Sequence, residues 1–301
     1  MIRALDSDST YFLQNLQRIN ERLGRAQREI ASGKRVATAS DDPDSVSTLL
    51  EARAGLARLQ QITKNLSRVK TEVDAAESSL QAAVRLFDRV RTLGMTGASG
   101  TQTALTRRGL AGELASILDR FVGLANTEVD GRFIFSGNND QTPAYGLDMS
   151  QTPPWTAYQG TAAAREVEHP TGVRFRVSMD AQAIFDNADP ELNVFQSVEN
   201  LRQALLSDDD QQIEAALAPL AQVSAHLNSA LTFYGNVQAQ VIEANDTASR
   251  MTLRLSTEIA SIEDADITEA ILTVQQLQFT QEAALKVKAQ VPRRTLFDVL
   301  G

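Results

Sequence analysis

The chain has 301 residues, no cysteine, 43% hydrophobic but only 5% aromatic residues, and a net charge of −9. This is long enough for one large domain or two to three small ones, with apolar content sufficient for a core. The lack of cysteine excludes a disulfide scaffold, a cysteine-ligated zinc site and a thiol nucleophile, and the acidic balance argues against a nucleic-acid partner.

The opening residues run from Leu5 into Asp6, Ser7, Asp8, Ser9 and Thr10 instead of an apolar stretch, so no cleaved signal peptide is expected. No stretch approaches the apolar length of a membrane span, so no membrane insertion is expected either. Taken alone, this describes a chain that stays in the cytoplasm or leaves it uncleaved. A cysteine-free chain suits unfolded passage through a secretion channel.

Apolar residues then recur at steps of four and three: Phe12, Leu16, Ile19, Leu23, Ala26, Ile30. A step averaging 3.5 places a narrow apolar seam on one side of a helix, and such a seam stays soluble only against another helix. The spacing predicts a helix over 9–31, closed at Ser32-Gly33 by a left-handed cap. Arg18, Arg22, Arg25 and Arg28 fall opposite the seam, as a solvated face.

After a loop, Asp42 as N-cap and Pro43 at the first helical position start a second helix to about Leu93. Its seam runs through Leu59, Leu66, Val73, Leu80, Phe87 and Val90. At 1.5 Å per residue such a helix spans roughly 75 Å, far beyond the ordinary length, which points to a rod. Gly94, Gly97 and Gly100 are expected to break it. A third helix over 103–129 then returns antiparallel, with Leu110, Leu114, Ile117, Phe121 and Leu124 on one face.

The rhythm changes next. Arg132-Phe133-Ile134-Phe135 has strand character, and Pro143, Pro153 and Pro154 forbid a helix. Val173, Phe175 and Val177 alternate with Arg174 and Arg176, as in a half-buried strand, with His169-Pro170-Thr171-Gly172 turning back to Glu166-Val167-Glu168. Helix resumes over 192–206 and from Asp208-Asp209-Asp210 to Ile262, with Pro219 and Gly235 as points of division. A last helix over 267–291, opened by Asp266 and Glu269, carries Ile267, Ile271, Val274, Leu277, Ala284 and Val291 before Pro292 stops it. The tail Thr295-Leu296-Phe297-Asp298-Val299-Leu300 is apolar enough to dock.

The fold class is therefore mainly α, with long antiparallel coiled-coil-like helices from both chain ends and an inserted β-rich module. Its expected segments are 1–42 (assembly helix and loop), 43–130 (helical arm), 131–190 (β-rich module), 191–262 (helical arm) and 263–301 (assembly helix and tail).

No constellation calls for catalysis, a metal or a cofactor. The acidic groups Asp41/Asp42/Asp44, Asp208/Asp209/Asp210 and Glu263/Asp264/Asp266 sit at predicted helix starts, where carboxylates cap amides. His169 and His226 lack triad or metalloprotease surroundings. The glycines from Gly94 to Gly100 lack the lysine of a phosphate loop and read as an interhelix turn. Trp155, Tyr158 and the phenylalanines of the module read as its core.

The wording of two motifs adds a resemblance. Gly33-Lys34-Arg35-Val36 followed by Ser40-Asp41-Asp42-Pro43 resembles the N-terminal signature of the bacterial flagellin family. Asn126-Thr127 with Asp130-Gly131-Arg132-Phe133-Ile134-Phe135-Ser136-Gly137 is similar to the entry into the β domain in the branch that joins hook to filament, and the apolar tail is similar to the end of that family. Pro43, where filament-forming flagellins have alanine, favours the junction branch. The resemblance covers the first 140 and last 70 or so residues; 141–190 matches nothing nameable.

This resemblance implies a flagellin-like structural subunit, not an enzyme, exported to the flagellum through its secretion apparatus without cleavage. The implied partners are copies of itself in a ring, the hook-side junction protein, flagellin and a cytoplasmic export chaperone. On the sequence reading, Phe12, Leu16, Ile19, Leu23, Ile30, Ile267, Ile271, Val274, Leu277, Leu296, Phe297 and Leu300 bury against neighbouring copies, because an isolated pair of helices this short is marginal in water. The alternatives are a short flagellin of the filament shaft and a helical stalk carrying a binding module.

Overall fold

The structure is a computed structural model that describes residues 7–290. The sequence-assigned positions Val291, Leu296, Phe297 and Leu300 lie outside the described residues. The elements in chain order are α1 (Ser7–Ser32), α2 (Pro43–Gly97), α3 (Ala104–Ala125), β1 (Glu128–Val129), β2 (Arg132–Phe133), β3 (Glu166–Glu168), β4 (Arg174–Arg176), α4 (Ala181–Phe185), α5 (Val194–Ser207), α6 (Asp210–Leu217), α7 (Leu220–Glu263) and α8 (Ile267–Gln290). They form two compact units, 59–250 and the two ends 7–58 with 251–290, to both of which α2 and α7 contribute.

In unit 59–250 the 3.5-residue seam of α2 becomes core: Leu66, Leu80, Ala83 and Val90 are fully buried, as are Leu114, Leu118 and Phe121 of α3. The β-rich segment shares this core. Phe185 stacks on Phe195 at 5.8 Å and meets Phe135 edge-on at 6.2 Å, Phe135 meets Tyr234 of α7, and Trp155 packs on Phe195 at 5.5 Å. The scarce aromatics thus hold the module on the helices. Burial and the nearby Asp186 carboxylate push the Tyr145 phenol far above its ordinary range.

Several boundaries differ from the sequence reading, each for a physical reason. Helix α2 does not break at Gly94 but runs 55 residues to Gly97. Those two glycines make room for neighbours. A Cβ on Gly94 would sit 2.6 Å from Leu217 and 3.0 Å from Leu201, and one on Gly97 would run into Leu205. The turn follows them, and it is pinned by Arg107. That guanidinium donates to the Gly97 carbonyl at 3.0 Å, to Asp208 at 2.8 Å and to Asp210 at 2.5 Å. Within the Asp208–Asp210 run, Asp209 alone caps α6, accepting from the Gln211 and Gln212 amides.

Helix α3 ends at Ala125, not 129, because the Asn126 amide N–H closes onto the helix's last carbonyls while its side chain donates to Tyr145 O at 2.7 Å and accepts from Tyr145 N at 3.0 Å. The freed residues form a hairpin, with Glu128 opposite Phe133 and Val129 opposite Arg132. Its two-residue turn, Asp130-Gly131, has φ of +52° and +76°, the backbone that Asp-Gly favours.

The strand expected over 132–135 is two residues long; Ile134 and Phe135 are buried in the turns beyond it. The second hairpin, β3–β4, pairs Glu166 with Arg176 and Glu168 with Arg174. Val173 precedes β4 and is 64% exposed, so the expected alternation is half-buried only from Phe175 to Val177. The segment from 208 onward divides at Pro219 into α6 and α7, whereas Gly235 lies within unbroken α7.

Candidate assembly interface

Unit 7–58 with 251–290 is built on the first motif. Gly33 adopts φ +70° and its amide closes α1 on the Glu29 carbonyl at 2.8 Å. The chain then lies against the turn between α7 and α8. The amides of Arg35 and Val36 donate to the Glu263 carbonyl at 2.7 and 3.3 Å, and the Ala265 amide donates back to Gly33 O at 3.0 Å. The Arg35 guanidinium reaches the Ile262 carbonyl at 2.8 Å and Asp42 at 3.1 Å.

Glu263 is the charged centre of this contact. Its side chain is 5% exposed and pairs with the Lys34 ammonium and, at 2.5 Å, with the Arg53 guanidinium. Hydrogen bonds from Lys34 and then Arg53 hold its carboxyl below the usual glutamate value. Asp41 folds the loop by accepting from the Thr38 and Ala37 amides, and these bonds, the Thr38 amide first, lower its pKa as well. Asp42 accepts from the Ser45 hydroxyl at 2.8 Å, with Pro43 opening α2. Gly33, Lys34, Arg35, Asp41, Asp42 and Pro43 of the motif therefore each have a structural task.

From this contact α1 and α8 run antiparallel against each other. Gly33 bonds with Ala265, Gln281 donates to Asn20 at 2.9 Å, and the Lys288 ammonium lies 5.5 Å above the Phe12 ring. Phe12, Leu16, Ile19, Leu23 and Ile30 are half-buried and Ala26 is buried. On α8 the covered positions are Ala270, Val274, Leu277, Gln281 and Ala284, again at steps of four and three.

Two observations bear on the sequence reading. Helix α8 covers part of the α1 seam within the chain, and Leu277, assigned to neighbouring copies, is 7% exposed without any copy present. Ile267 and Ile271 were placed on the same seam but stand off it, 38% and 43% exposed.

What remains uncovered is a second set of apolar side chains, spread around the rest of the two helices. On α8 it includes Leu272 at 60%, Phe279 at 74% and Val287 at 63% exposure, with Ile267, Ile271 and Leu285; on α1 it includes Tyr11 and Leu13. The sequence reading named Ile267 and Ile271 for contacts with neighbouring copies but missed Leu272, Phe279, Leu285, Val287, Tyr11 and Leu13. The available signal was that α8 has more apolar residues than one seam can hold, so that they surround the helix.

The second motif lies in unit 59–250. Gly131 makes the hairpin turn, Phe133 is half-buried, and Phe135 is fully buried with its carbonyl accepting from Tyr158 Oη at 2.9 Å. Gly137 has φ +63°, and a Cβ there would collide with the Thr161 carbonyl. These residues shape the core. His169 bonds Thr171 and Glu243, and His226 bonds the Ala183 carbonyl. Among the described residues no cluster of metal-ligating side chains occurs, and no helix is long and apolar enough to cross a membrane.

The pattern of the bacterial flagellin N-terminal helical region matches residues 8–140. The flagellar hook-associated protein 3 of Escherichia coli K12 is 23% identical over 293 residues, covering 90% of each chain. Flagellin B of Helicobacter pylori is 25% identical over 120 residues, covering 40% of this chain and 23% of its own. Among solved structures, the flagellar hook-associated protein-3 of Legionella pneumophila superposes with a TM-score of 0.62 at 12% identity, over 70% of this chain and 98% of that one.

Proposed function

We propose that this chain, which matches the bacterial flagellin N-terminal helical region over residues 8–140, is a flagellin-family structural subunit of the flagellum that joins hook to filament. The observation that carries the reading is the pair of terminal helices with apolar side chains left uncovered beside their shared seam, Leu272, Phe279 and Val287 among the most exposed. Many large apolar side chains exposed on one pair of helices mark a contact with other protein. The junction place, as against the shaft, is supported by the likeness to hook-associated protein 3 over nearly the whole of both chains, where a filament flagellin matches over a minor part.

Function here is packing. The first seam joins α1 to α8 within each subunit. The uncovered apolar side chains then bury against neighbouring copies in a ring, with the hook-side junction protein on one side and flagellin on the other. Export through the flagellar secretion channel without loss of a leader, and prior binding of a cytoplasmic chaperone, belong to the same proposal. The role is structural, without catalysis.

Abundance tests it. Filaments sheared from the source bacterium and quantified by mass spectrometry should contain this chain as a trace beside flagellin. If it is the major protein of the shaft, the filament reading replaces the junction reading.

A further inference from the structure

We infer that Glu263 sets the axial register of α1 against α8. A seam of 3.5-residue period does not fix its own register, since a slip of one heptad again sets apolar on apolar, and natural coiled coils add a polar contact to choose among registers. Along the α1–α8 pair itself, Gln281 makes a neutral contact with Asn20 at 2.9 Å and Lys288 a long one with Ser9 at 3.4 Å. The strong contact lies at one end, where the Glu263 carboxylate gathers Lys34 and Arg53 and its carbonyl takes two amides of the loop that leaves α1.

The geometry follows from that anchor. With Gly33 bonded to Ala265, two helices of equal rise must face each other at like distances from it. Asn20 lies 13 positions before Gly33 and Gln281 lies 16 beyond Ala265; Ser9 lies 24 before and Lys288 23 beyond. A slip of one heptad would move α8 along α1 by about 10 Å. Phe279 and Leu272 would then be displaced along the pair relative to Tyr11 and Leu13, and the exposed apolar side chains of the two helices would change their spacing. That consequence for assembly rests on the function proposed above; the register itself does not.

The chain has no cysteine, so engineered pairs report cleanly. Asn20→Cys with Gln281→Cys removes the competing hydrogen bond and reads the native register. Asn20→Cys with Lys288→Cys reads the register one heptad away. In the purified monomer the native pair should oxidise readily and the shifted pair poorly. Adding Glu263→Ala should lower the native yield by roughly tenfold, the scale of a lost charged hydrogen-bond cluster, and raise the shifted yield. Glu263→Gln, which keeps size and an acceptor, should fall between. Unchanged yields would overturn the inference. Loss of both cross-links would overturn it too, since Glu263 would then hold the helices together without choosing their register. Trp155 fluorescence verifies that unit 59–250 of each variant is folded, and far-ultraviolet circular dichroism verifies that the terminal helices are retained. Because the assay uses the monomer, its failure would leave the junction reading standing.

Discussion

Gln281 donates its side-chain amide to Asn20 at 2.9 Å across 261 positions of sequence, so the last described helix lies on the first. The seam between them is internal to one chain. Other apolar side chains of α8, Leu272 and Phe279 among them, stay exposed.

Two leucine-and-phenylalanine substitutions on α8 separate these surfaces. Leu277 is 7% exposed, and Leu277→Ala should loosen the α1–α8 pair by about 2–3 kcal/mol. Amide exchange of α1 and α8 should accelerate while unit 59–250 keeps its melting temperature. Phe279→Ala, at a position 74% exposed, should change neither.

The glycines of unit 59–250 divide in the same way. Gly94→Ala inserts a methyl 2.6 Å from Leu217 and should destabilise, because overpacking of about 1–3 kcal/mol exceeds the gain in helix propensity. Gly109, within α3, has open space around it, so Gly109→Ala should stabilise by up to about 1 kcal/mol. Thermal unfolding of the two variants should move in opposite directions.

Trp155 lies against Phe195, and Phe195 against Phe185. Phe195→Ala should cost about 3–5 kcal/mol and shift the Trp155 emission to the red as water reaches the ring. Emission unchanged in the folded variant would contradict the shared core of module and helices.

Acid should loosen the motif loop. Lys34 and Arg53 hold the Glu263 carboxyl below its ordinary value of 4.5, so the stability it contributes is present above that value and is lost as pH falls through the lower, folded one. Protection of the Arg35 and Val36 amides, corrected for intrinsic exchange, should hold from neutral pH and decline below about 4.5. Glu263→Gln should abolish that part of the decline.

The helices were legible because their signals are local. Seam spacing gave α1 and α2, Asp42-Pro43 and Asp209 gave helix starts, and Gly33 gave a stop. The missed details depend on neighbours far along the chain. Whether Gly94 ends a helix or admits Leu201 and Leu217 is decided by residues over 100 positions away. Asp130-Gly131 did carry a local hairpin signal, a two-residue turn between Val129 and Arg132, which the continued helical reading of 103–129 obscured. On α8 the sequence showed the apolar residues but not which face α1 covers, and so it merged Ile267 and Ile271 with Val274 and Leu277. Glu263 looked like one more helix-start acid, since its partners Lys34 and Arg53 are more than 200 positions distant.

The most direct test of the account is the number of filaments per cell in a strain whose only copy carries Phe279→Asp. The purified variant should fold and melt like the parent, since the side chain touches water in the monomer. The account predicts exported protein and intact hooks but cells almost without filaments. Filaments in normal number would contradict it, because the exposed apolar side chains of the terminal helices would then not be what joins this subunit to its neighbours.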